Sequence, residues 1–195
     1  MTDLAATREH ILDQAQELFR RFSYGKTTMA DIAGAVGMSA ANLYRYFDAK
    51  EEIAIQVSRR CTFEDEDIGH EIIRSPEPSA SRKLERLVRE IALRKYDRFK
   101  GDPYMQEIIQ ICATNRGDVM DMHMASLTGM IQAVLDQGFE AEEFEPIDGD
   151  NDALKVLLAL AGTWYPAVSS SFTREQVDEF CGQITKLLLK GLLAR

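Results

Sequence analysis

The sequence predicts an all-α protein, with a small N-terminal three-helix domain followed by a larger helical bundle. No stretch alternates apolar and polar residues with the period of two that a half-buried β-strand needs. Apolar residues recur instead at helical spacing, in segments that begin at capping residues and end at glycine or proline. The 195 residues suffice for one domain, or for a small domain joined to a larger one. We expect domains over residues 1–50 and 51–195.

Capping patterns define the N-terminal helices. An apolar stripe from Ile11 to Phe22 predicts an amphipathic helix that ends where Gly25 supplies a C-terminal stop. Thr28 and Asp31, three residues apart, predict a capping box at the start of a short helix that ends at Gly37. Ser39 is expected to cap a second short helix reaching about Phe47, and Asp48 with Glu51 to open a longer helix to about Arg74.

The remaining helices are delimited by proline, glycine and one further capping box. Two prolines interrupt the chain at Ser75–Ser79, and residues 137–151 form an acidic segment expected to be a loop. Thr173 and Gln176 predict a capping box for the last helix. The helices expected after Arg74 span about 81–100, 104–115, 118–137, 152–165 and 174–193.

Charge is distributed unevenly along the chain. The net charge of −9 resides in residues 61–195, because residues 1–60 contain eight basic and eight acidic side chains. Within residues 20–50, five basic residues accompany only two acidic ones, which favours a polyanionic partner for this segment. The acidic chain as a whole argues against a large nonspecific nucleic-acid surface.

Composition also bounds the cellular setting. Cys61, Cys112 and Cys181 are odd in number and far apart, so they indicate neither a disulfide scaffold nor a zinc cluster. The longest apolar run, Val156–Ala161, is far shorter than the roughly 20 residues that span a bilayer, and the N-terminus lacks a signal-peptide pattern. We expect a cytoplasmic protein without a membrane partner.

Residues 27–50 have the pattern of a helix-turn-helix, in which two short helices are joined by a tight turn. Ala33 is small enough to let the two helices approach closely. Gly37 can adopt the left-handed backbone conformation that the turn requires. The apolar wedge between the helices would consist of Ile32, Val36, Met38, Leu43 and Phe47.

The second short helix has an inner and an outer side when its residues are projected at about 100° each. Leu43, Tyr46 and Phe47 cluster on the inner side, and Ala41, Asn42, Tyr44 and Arg45 fall mostly on the outer side. Asn42 could pair with adenine, and Arg45 with guanine or a phosphate, in a DNA major groove. Tyr44 and Lys50 suit phosphate contacts that fix the register on the duplex.

The segment from about Arg8 to Ile53, about a quarter of the chain, resembles the DNA-binding domain of the tetracycline repressor (TetR) family. Ala41 departs from the pattern, since many members have glycine or proline there. The matching residues are Ile11, Ala15, Phe19, Gly25, Thr27, Thr28, Ile32, Ala33, Gly37, Met38, Ser39, Leu43, Tyr44, Tyr46, Phe47, Lys50 and Glu51.

The resemblance implies a homodimeric transcriptional regulator, usually a repressor, that binds a palindromic operator in double-stranded DNA and is released by a small-molecule ligand. By matching position, phosphates would be contacted by Thr27, Thr28, Tyr44, Tyr46 and Lys50. The residues nearest the bases would be Ala41, Asn42 and Arg45. Ser39, which is expected to cap the second short helix, completes the predicted DNA-contact set.

The two C-terminal helices predict a dimer interface. Residues 153–165 are apolar nearly all round, so that helix must be covered on more than one side. One monomer core could cover it, but a four-helix interface between two protomers does so more easily and supplies the two-fold symmetry that a palindromic site requires. The candidate interface residues are Leu157, Val177, Phe180, Ile184, Leu187 and Leu188.

A cluster of methionine and aromatic residues predicts a pocket for a mostly apolar small molecule. Five of the eight methionines lie within residues 105–130, and methionine adapts to irregular ligands. Ordinary core filling explains the same composition, so both interpretations stay open. The candidate lining residues are Tyr96, Phe99, Tyr104, Ile108, Ile111, His123, Met124, Leu127 and Trp164.

No motif points to catalysis. His10, His70 and His123 lack metal-ligand spacing, and neither a nucleophile elbow nor a phosphate-binding glycine loop is present in the sequence. We therefore expect no enzymatic activity, no metal and no cofactor. Two alternatives stay open, a helical-bundle enzyme whose N-terminal unit is only structural and a DNA-binding regulator without an effector.

Overall fold

A computed structural model describes residues 4–100, 116–146, 151–164 and 171–193. Within residues 101–115 it describes 102, 104, 107, 108, 110, 111 and 114, and at 61, 62 and 161 the backbone alone. The all-α prediction is confirmed. In the described part of the chain, β-pairing is limited to an isolated bridge between Phe144 and Leu193.

The helices follow one another in the expected order. They are α1 (Leu4–Phe22), α2 (Met29–Ala35), α3 (Ala40–Leu43), α4 (Lys50–Arg74), α5 (Ala80–Phe99), α6 (Gly117–Glu140), α7 (Asp152–Ala159), α8 (Ala161–Trp164) and α9 (Arg174–Leu192). The described residues between Tyr104 and Thr114 also have helical backbone. The chain divides into two compact units: unit 1 comprises residues 1–62 and 101–120, and unit 2 comprises residues 63–100 and 121–195.

Unit 1 is built on the apolar stripe of α1. Helix α2 packs against α1, and α3 packs against α2. Because apolar residues three and four positions apart share one helical face, each helix contributes a single row to this core. The fully buried side chains of the unit include Ile11, Ala15, Phe19, Ile32, Leu43, Phe47 and Ile53.

The predicted caps of the short helices are confirmed. The Thr28 side chain accepts a hydrogen bond from the Asp31 backbone N–H at 3.1 Å, and the Asp31 carboxylate accepts one from the Thr28 N–H at 2.8 Å. Ser39 caps α3 in the same way, through the Asn42 N–H. These contacts satisfy N–H groups that the first turn of a helix leaves without partners.

Three details at the helix ends differ from the sequence prediction. Ser23, and not Gly25, takes the left-handed conformation after α1, with φ of 75°. Helix α3 ends at Leu43, and residues 44–46 continue as a turn with hydrogen bonds such as Tyr46 N–H to Leu43 C=O. The Asp48 N–H pairs with Glu52 rather than with Glu51. Helix ends depend on the surrounding packing, which local patterns do not contain.

Unit 2 is organised around α5, against which α9 packs along its length. Trp164 is almost completely buried in the core and donates its indole N–H to the Val88 carbonyl at 3.0 Å. The capping box of Thr173 and Gln176 opens α9 as predicted. The core includes Ile72, Leu84, Leu87, Ile91, Leu127, Ile131, Val134, Val156, Leu157, Leu160, Val177 and Cys181.

The later helix boundaries also differ in part. Helix α6 continues to Glu140, beyond the predicted end at residue 137. The helix predicted over 152–165 is divided at Leu160 into α7 and α8. Three parts of these predictions lie outside the described residues: residue 165, residues 147–150 of the acidic segment 137–151, and part of the predicted helix 104–115.

Candidate functional site

The helix-turn-helix predicted over residues 27–50 is formed within unit 1. Helices α2 and α3 are joined at Gly37, whose φ of 70° is the left-handed conformation expected of it. The Met38 N–H closes the turn by donating to the Ala33 carbonyl at 2.9 Å. A residue with a Cβ atom would be strained at Gly37, so the turn explains why glycine stands there.

Residues 40–47, which comprise α3 and the turn after it, are called the α3 segment below. The outer side of this segment is exposed in unit 1. Tyr44 is 50 % exposed, and Ala41 and Arg45 are exposed as well. Asn42 is half-buried and donates from its amide to the Met38 sulfur at 3.8 Å. The predicted outward orientation is therefore confirmed for Ala41, Tyr44 and Arg45, while Asn42 presents only part of its side chain.

Tyr46 is held in place by an arginine that sequence reasoning missed. The Arg8 guanidinium donates to the Tyr46 carbonyl and lies 4.1 Å above the centre of the Phe47 ring, a cation–π contact. Arg8 also forms an ion pair with Glu52 at 3.6 Å. Arg8 of α1 thus joins the residues that follow α3, Tyr46 and Phe47, to the start of α4 at Glu52.

The side chains of Thr27 and Lys50, two of the predicted phosphate contacts, form hydrogen bonds inside unit 1. Thr27 is 2 % exposed, and its hydroxyl donates to the Ser23 carbonyl at 2.8 Å. The Lys50 ammonium donates to the Tyr24 and Thr27 carbonyls, each at 2.7 Å, and lies 4.1 Å from the centre of the Tyr24 ring. Both residues anchor the turn that precedes α2 and so help to position it. Their predicted phosphate contacts stay a prediction.

Glu107 completes the support of this turn. Its carboxylate accepts hydrogen bonds from the backbone N–H groups of Tyr24 at 3.0 Å and Gly25 at 3.1 Å. Burial lowers the pKa of Lys50, and the negative charge of Glu107 opposes that shift. No sequence signal identifies Glu107, because its partners are backbone groups more than 80 positions away.

The predicted dimer residues separate into buried and exposed groups. Leu157 of α7 and Val177 of α9 are almost completely buried, so within one chain they pack in the core of unit 2. Leu187 is 65 % exposed, Phe180 is exposed, and Ile184 and Leu188 are half-buried. On α7, Leu154 and Leu158 are exposed as well.

The nine predicted pocket residues do not belong to one unit. Tyr104, Ile108 and Ile111 fall in unit 1, and the other six fall in unit 2. In unit 2 the phenol of Tyr96 donates to the Phe172 carbonyl at 3.0 Å. Phe99, Leu127 and Trp164 are buried, and His123 and Met124 are half-buried.

Unit 2 contains a buried polar cluster that sequence reasoning did not assemble. Arg98 donates to both carboxylate oxygens of the buried Asp65, at 3.1 and 3.3 Å. Lys95 lies with its ammonium 3.2 Å from His123 Nε2. A signal was available for Lys95, since it stands one helical turn from both Ile91 and Phe99 on the buried stripe of α5.

Burial and neighbouring charges shift the pKa of two members of this cluster. Burial lowers the pKa of Lys95 to about 8; the negative charge of Asp65 opposes the shift and the positive charge of Arg98 adds to it. Burial, together with the positive charges of Lys95 and Arg98, lowers the pKa of His123 to about 3. His123 is therefore neutral at pH 7.

No helix in the described part of the chain combines the length and apolarity needed to cross a membrane. In the same part of the chain, His, Cys, Asp and Glu side chains form no group of three or more that could hold a metal ion.

Comparison with known proteins places both units in one family. Residues 11–57 match the description "Bacterial regulatory proteins, tetR family". Residues 80–185, more than half of the chain, match "Tetracyclin repressor-like, C-terminal domain". A solved TetR transcription regulator from Haloarcula marismortui has a TM-score of 0.76 over 97 % of this chain and 100 % of its own; at 19 % sequence identity this similarity shows the fold.

Curated relatives match the N-terminal part of the chain. An HTH-type transcriptional regulator of Mycobacterium tuberculosis is 42 % identical over 72 residues, which are 37 % of this chain and 33 % of the relative. The negative regulator IcaR of the Staphylococcus aureus biofilm operon icaADBC is 40 % identical over 57 residues, 29 % of this chain and 30 % of IcaR. These matches span about a third of the relatives' length. On the strength of the two family matches and the helical fold, the chain belongs to the tetR family of helix-turn-helix transcriptional regulators.

Proposed function

We propose that the protein binds a palindromic operator as a homodimer and represses transcription until a small-molecule effector releases it. The observation that carries the DNA-binding part is the exposed outer side of the α3 segment, where Ala41, Tyr44 and Arg45 face outward in unit 1. A half-exposed tyrosine beside an exposed arginine supplies both phosphate and base contacts. The polar rim of this surface is formed by the exposed cap residues Thr28 and Ser39.

Each contact residue has a distinct role in this proposal. Arg45 reads guanine in the major groove, and Asn42 reads adenine with the amide that now contacts Met38. Ala41 leaves room for close approach of the helix to the bases. Tyr44 contacts a phosphate, as do Thr28 and Ser39 at the rim. Tyr46, Thr27 and Lys50 position this surface through contacts inside unit 1.

The homodimer is proposed from the exposed apolar surface of α7 and α9. Leu158 and Leu187, at 61 % and 65 % exposed, are costly to leave in water on two neighbouring helices. A shallow groove of about 430 Å³ is lined by residues of both helices, among them Ala159 of α7 and Phe180, Ile184 and Leu187 of α9. Isologous packing of this surface on a second copy would bury these side chains. A two-fold symmetric dimer would also carry two recognition segments, as the two half-sites of a palindromic operator require.

The effector is proposed to bind in unit 2 and to act by shifting a conformational equilibrium. A ligand changes DNA affinity only if it binds the released conformation more tightly than the DNA-bound one. Repression is favoured over activation by the partial likeness to IcaR, which is described as a negative regulator. A DNA-binding regulator without an effector is the second candidate, and it would bind DNA identically under all ligand conditions.

Selection of duplexes from a random DNA pool by the purified protein tests the proposal. We expect recovery of a two-fold symmetric sequence whose complex weakens steeply with salt, because Lys and Arg contacts to phosphates release counterions. Band mobility and mass in solution should correspond to a dimer on each operator. Recovery of no common sequence would contradict sequence-specific binding, and recovery of an asymmetric half-site would contradict the dimer.

A further inference from the structure

Two of the proposed DNA-contact residues lie on a turn and not on regular helix. Helix α3 ends at Leu43, and Tyr44 and Arg45 follow in the turn 44–46. The fully buried side chain of Leu43 fixes the start of this turn, and its carbonyl accepts from the Tyr46 N–H at 2.9 Å. The direction in which Tyr44 and Arg45 face therefore depends on what fixes the other end of the turn.

Side chains from α1 and α4 fix that other end at three consecutive residues. The Arg8 guanidinium donates to the Tyr46 carbonyl and lies 4.1 Å above the centre of the Phe47 ring. The Glu52 carboxylate accepts a hydrogen bond from the Asp48 backbone N–H at 3.1 Å. A carbonyl, a ring and an N–H group are thus each held by a side chain from outside the α3 segment.

Arg8 and Glu52 also hold each other. Arg8 Nη2 lies 3.6 Å from Glu52 Oε1, while Glu52 Oε2 accepts from the Asp48 N–H. Because the guanidinium presents several donors in one rigid plane, its two nitrogens reach the Tyr46 carbonyl and Glu52 separately. The two side chains are 36 % and 35 % exposed, so the ion pair itself adds little to stability. Its effect lies in orienting the guanidinium and the carboxylate.

A second arginine of unit 1 already joins α1 to α4. Arg60 of α4 donates from Nη1 to Asp13 Oδ1 at 2.8 Å and from Nη2 to the Glu9 carbonyl at 3.1 Å. Both partners belong to α1. What Arg8 adds to this link is its contact with the residues that follow Tyr44 and Arg45.

We propose that Arg8 is a positioning residue for DNA recognition, which orients Tyr44 and Arg45 toward the duplex without contacting DNA itself. The inference rests on the proposed function, since it requires that these two side chains bind DNA. Arg8 precedes residues 11–57, the part of unit 1 that matches the family. A contact surface that is ordered in the free protein loses less conformational entropy on binding. Without Arg8, fewer molecules present both side chains correctly, and the apparent affinity falls by that fraction.

Amide hydrogen exchange of the full chain without DNA tests whether Arg8 holds this segment. Arg8→Met keeps an apolar stem over the Phe47 ring and removes the donors and the charge. We expect the N–H groups of Tyr46, Phe47 and Asp48 to exchange at least about fivefold faster in this variant, because the turn opens more often. Arg60→Met is the matched control and should leave these three exchange rates unchanged.

DNA affinity is measured by fluorescence anisotropy with the duplex that the parent protein selects from the random pool. Arg8→Met should bind this duplex at least about fivefold more weakly than the parent. Glu52→Gln keeps an acceptor for the Asp48 N–H but loses the ion pair with Arg8, so it should show a smaller loss in the same direction. Arg60→Met should bind like the parent, since a general loss of stability would affect both arginine variants.

Two further measurements separate positioning from direct contact with DNA. The dependence of affinity on salt should be the same in Arg8→Met and the parent, whereas loss of a phosphate contact would reduce the slope by about one. In a protein that already carries Tyr44→Ala and Arg45→Ala, Arg8→Met should weaken binding less than twofold. A residue that acts only through these two side chains has no further effect once they are absent.

Four results would each overturn the proposal: unchanged exchange rates in Arg8→Met, parent-like duplex affinity in Arg8→Met, an equal loss of affinity in Arg60→Met, or a smaller salt slope in Arg8→Met. If the parent protein selects no duplex, the proposed function fails and the DNA role of Arg8 fails with it. The exchange rates still decide in that case whether Arg8 holds residues 46–48. Selection by the parent with unchanged affinity in Arg8→Met would leave the proposed function intact and remove only the role of Arg8.

Discussion

The carboxylate of Glu107 accepts a hydrogen bond from the backbone N–H of Tyr24 at 3.0 Å, although the two residues are 83 positions apart. The same carboxylate accepts from the Gly25 N–H, and the Lys50 ammonium donates to the Tyr24 carbonyl. The turn between α1 and α2 is therefore stabilised by side-chain hydrogen bonds to both its backbone N–H groups and its backbone C=O groups. Since α2 begins directly after this turn, Glu107 helps to set the position of the helix-turn-helix.

Glu107→Gln should weaken DNA binding without abolishing folding. The amide keeps one acceptor oxygen but loses the charge that strengthens both hydrogen bonds and that faces Lys50. We expect a loss of about 1–2 kcal/mol in the free energy of unfolding and a severalfold lower affinity for the selected duplex. Urea denaturation and fluorescence anisotropy measure the two effects. Glu17→Gln, which alters an exposed ion pair with Arg20, is the control and should change little.

Arg45→Ala and Tyr44→Ala should reduce duplex affinity while leaving the melting temperature unchanged. Both side chains are exposed in unit 1, so their removal costs little packing. Loss of a base contact by Arg45 is worth about 1–3 kcal/mol, and it should also relax the base preference at one position in each half-site. The control is Arg94→Ala, an exposed arginine of unit 2. Equal losses of duplex affinity in Arg45→Ala and Arg94→Ala would show that Arg45 acts only through nonspecific electrostatic attraction to DNA.

Leu187→Glu should dissociate the proposed dimer. A charge at a 65 % exposed position costs the folded monomer little, whereas burying an unpaired carboxylate in an interface costs several kcal/mol. Sedimentation velocity at micromolar concentration should show monomer for this variant and dimer for the parent. Phe63→Glu replaces an equally prominent apolar side chain on α4 and should remain dimeric. A dimeric Leu187→Glu protein would place the interface elsewhere.

Two glycines of α6 should respond to alanine in opposite directions. A Cβ atom at Gly138 would lie 2.1 Å from the ring of the buried Phe144, so Gly138→Ala should destabilise the protein by about 1–3 kcal/mol through overpacking. At Gly129 the same atom would meet nothing within 4 Å. Gly129→Ala should stabilise the helix by about 0.5–1 kcal/mol. Urea denaturation of the two variants checks the signs, and a stabilising Gly138→Ala would contradict the packing of Phe144.

The stability of the protein should fall with acidification through His123. Burial lowers the pKa of His123 to about 3 in the folded state, against 6.5 for an exposed imidazole. Between pH 6.5 and pH 3 the unfolded chain binds a proton at this histidine and the folded chain does not. The contribution of neutral His123 to the free energy of unfolding is therefore complete above pH 6.5 and is lost as the pH falls toward 3. Between pH 7 and pH 5 the free energy of unfolding should fall about 2 kcal/mol further than in His123→Leu.

A matched substitution isolates this effect from other titrations. His70→Leu removes an exposed histidine from the same unit, and its loss of stability between pH 7 and pH 5 should equal that of the parent. If His70→Leu and His123→Leu showed the same pH dependence, the burial of His123 would not be the cause.

Local patterns correctly predicted the features that depend on neighbouring residues. The capping box of Thr28 and Asp31, the left-handed Gly37 and the exposure of Tyr44 and Arg45 each follow from groups within about one turn of helix. The all-helical fold and the family resemblance were recoverable from the sequence for the same reason. The exact ends of α3 and α6 were not, because terminal turns respond to packing.

The sequence by itself determined which side of the recognition segment faces outward, since helical periodicity and capping are set within a few residues. Only the tertiary structure decided that Lys50 anchors a turn, that Glu107 holds the same turn, and that Lys95 meets His123 inside unit 2. Each of these contacts joins side chains to groups 25 or more positions away. Their hydrogen bonds and their desolvation exist only after distant helices have packed together, so no local pattern contains them.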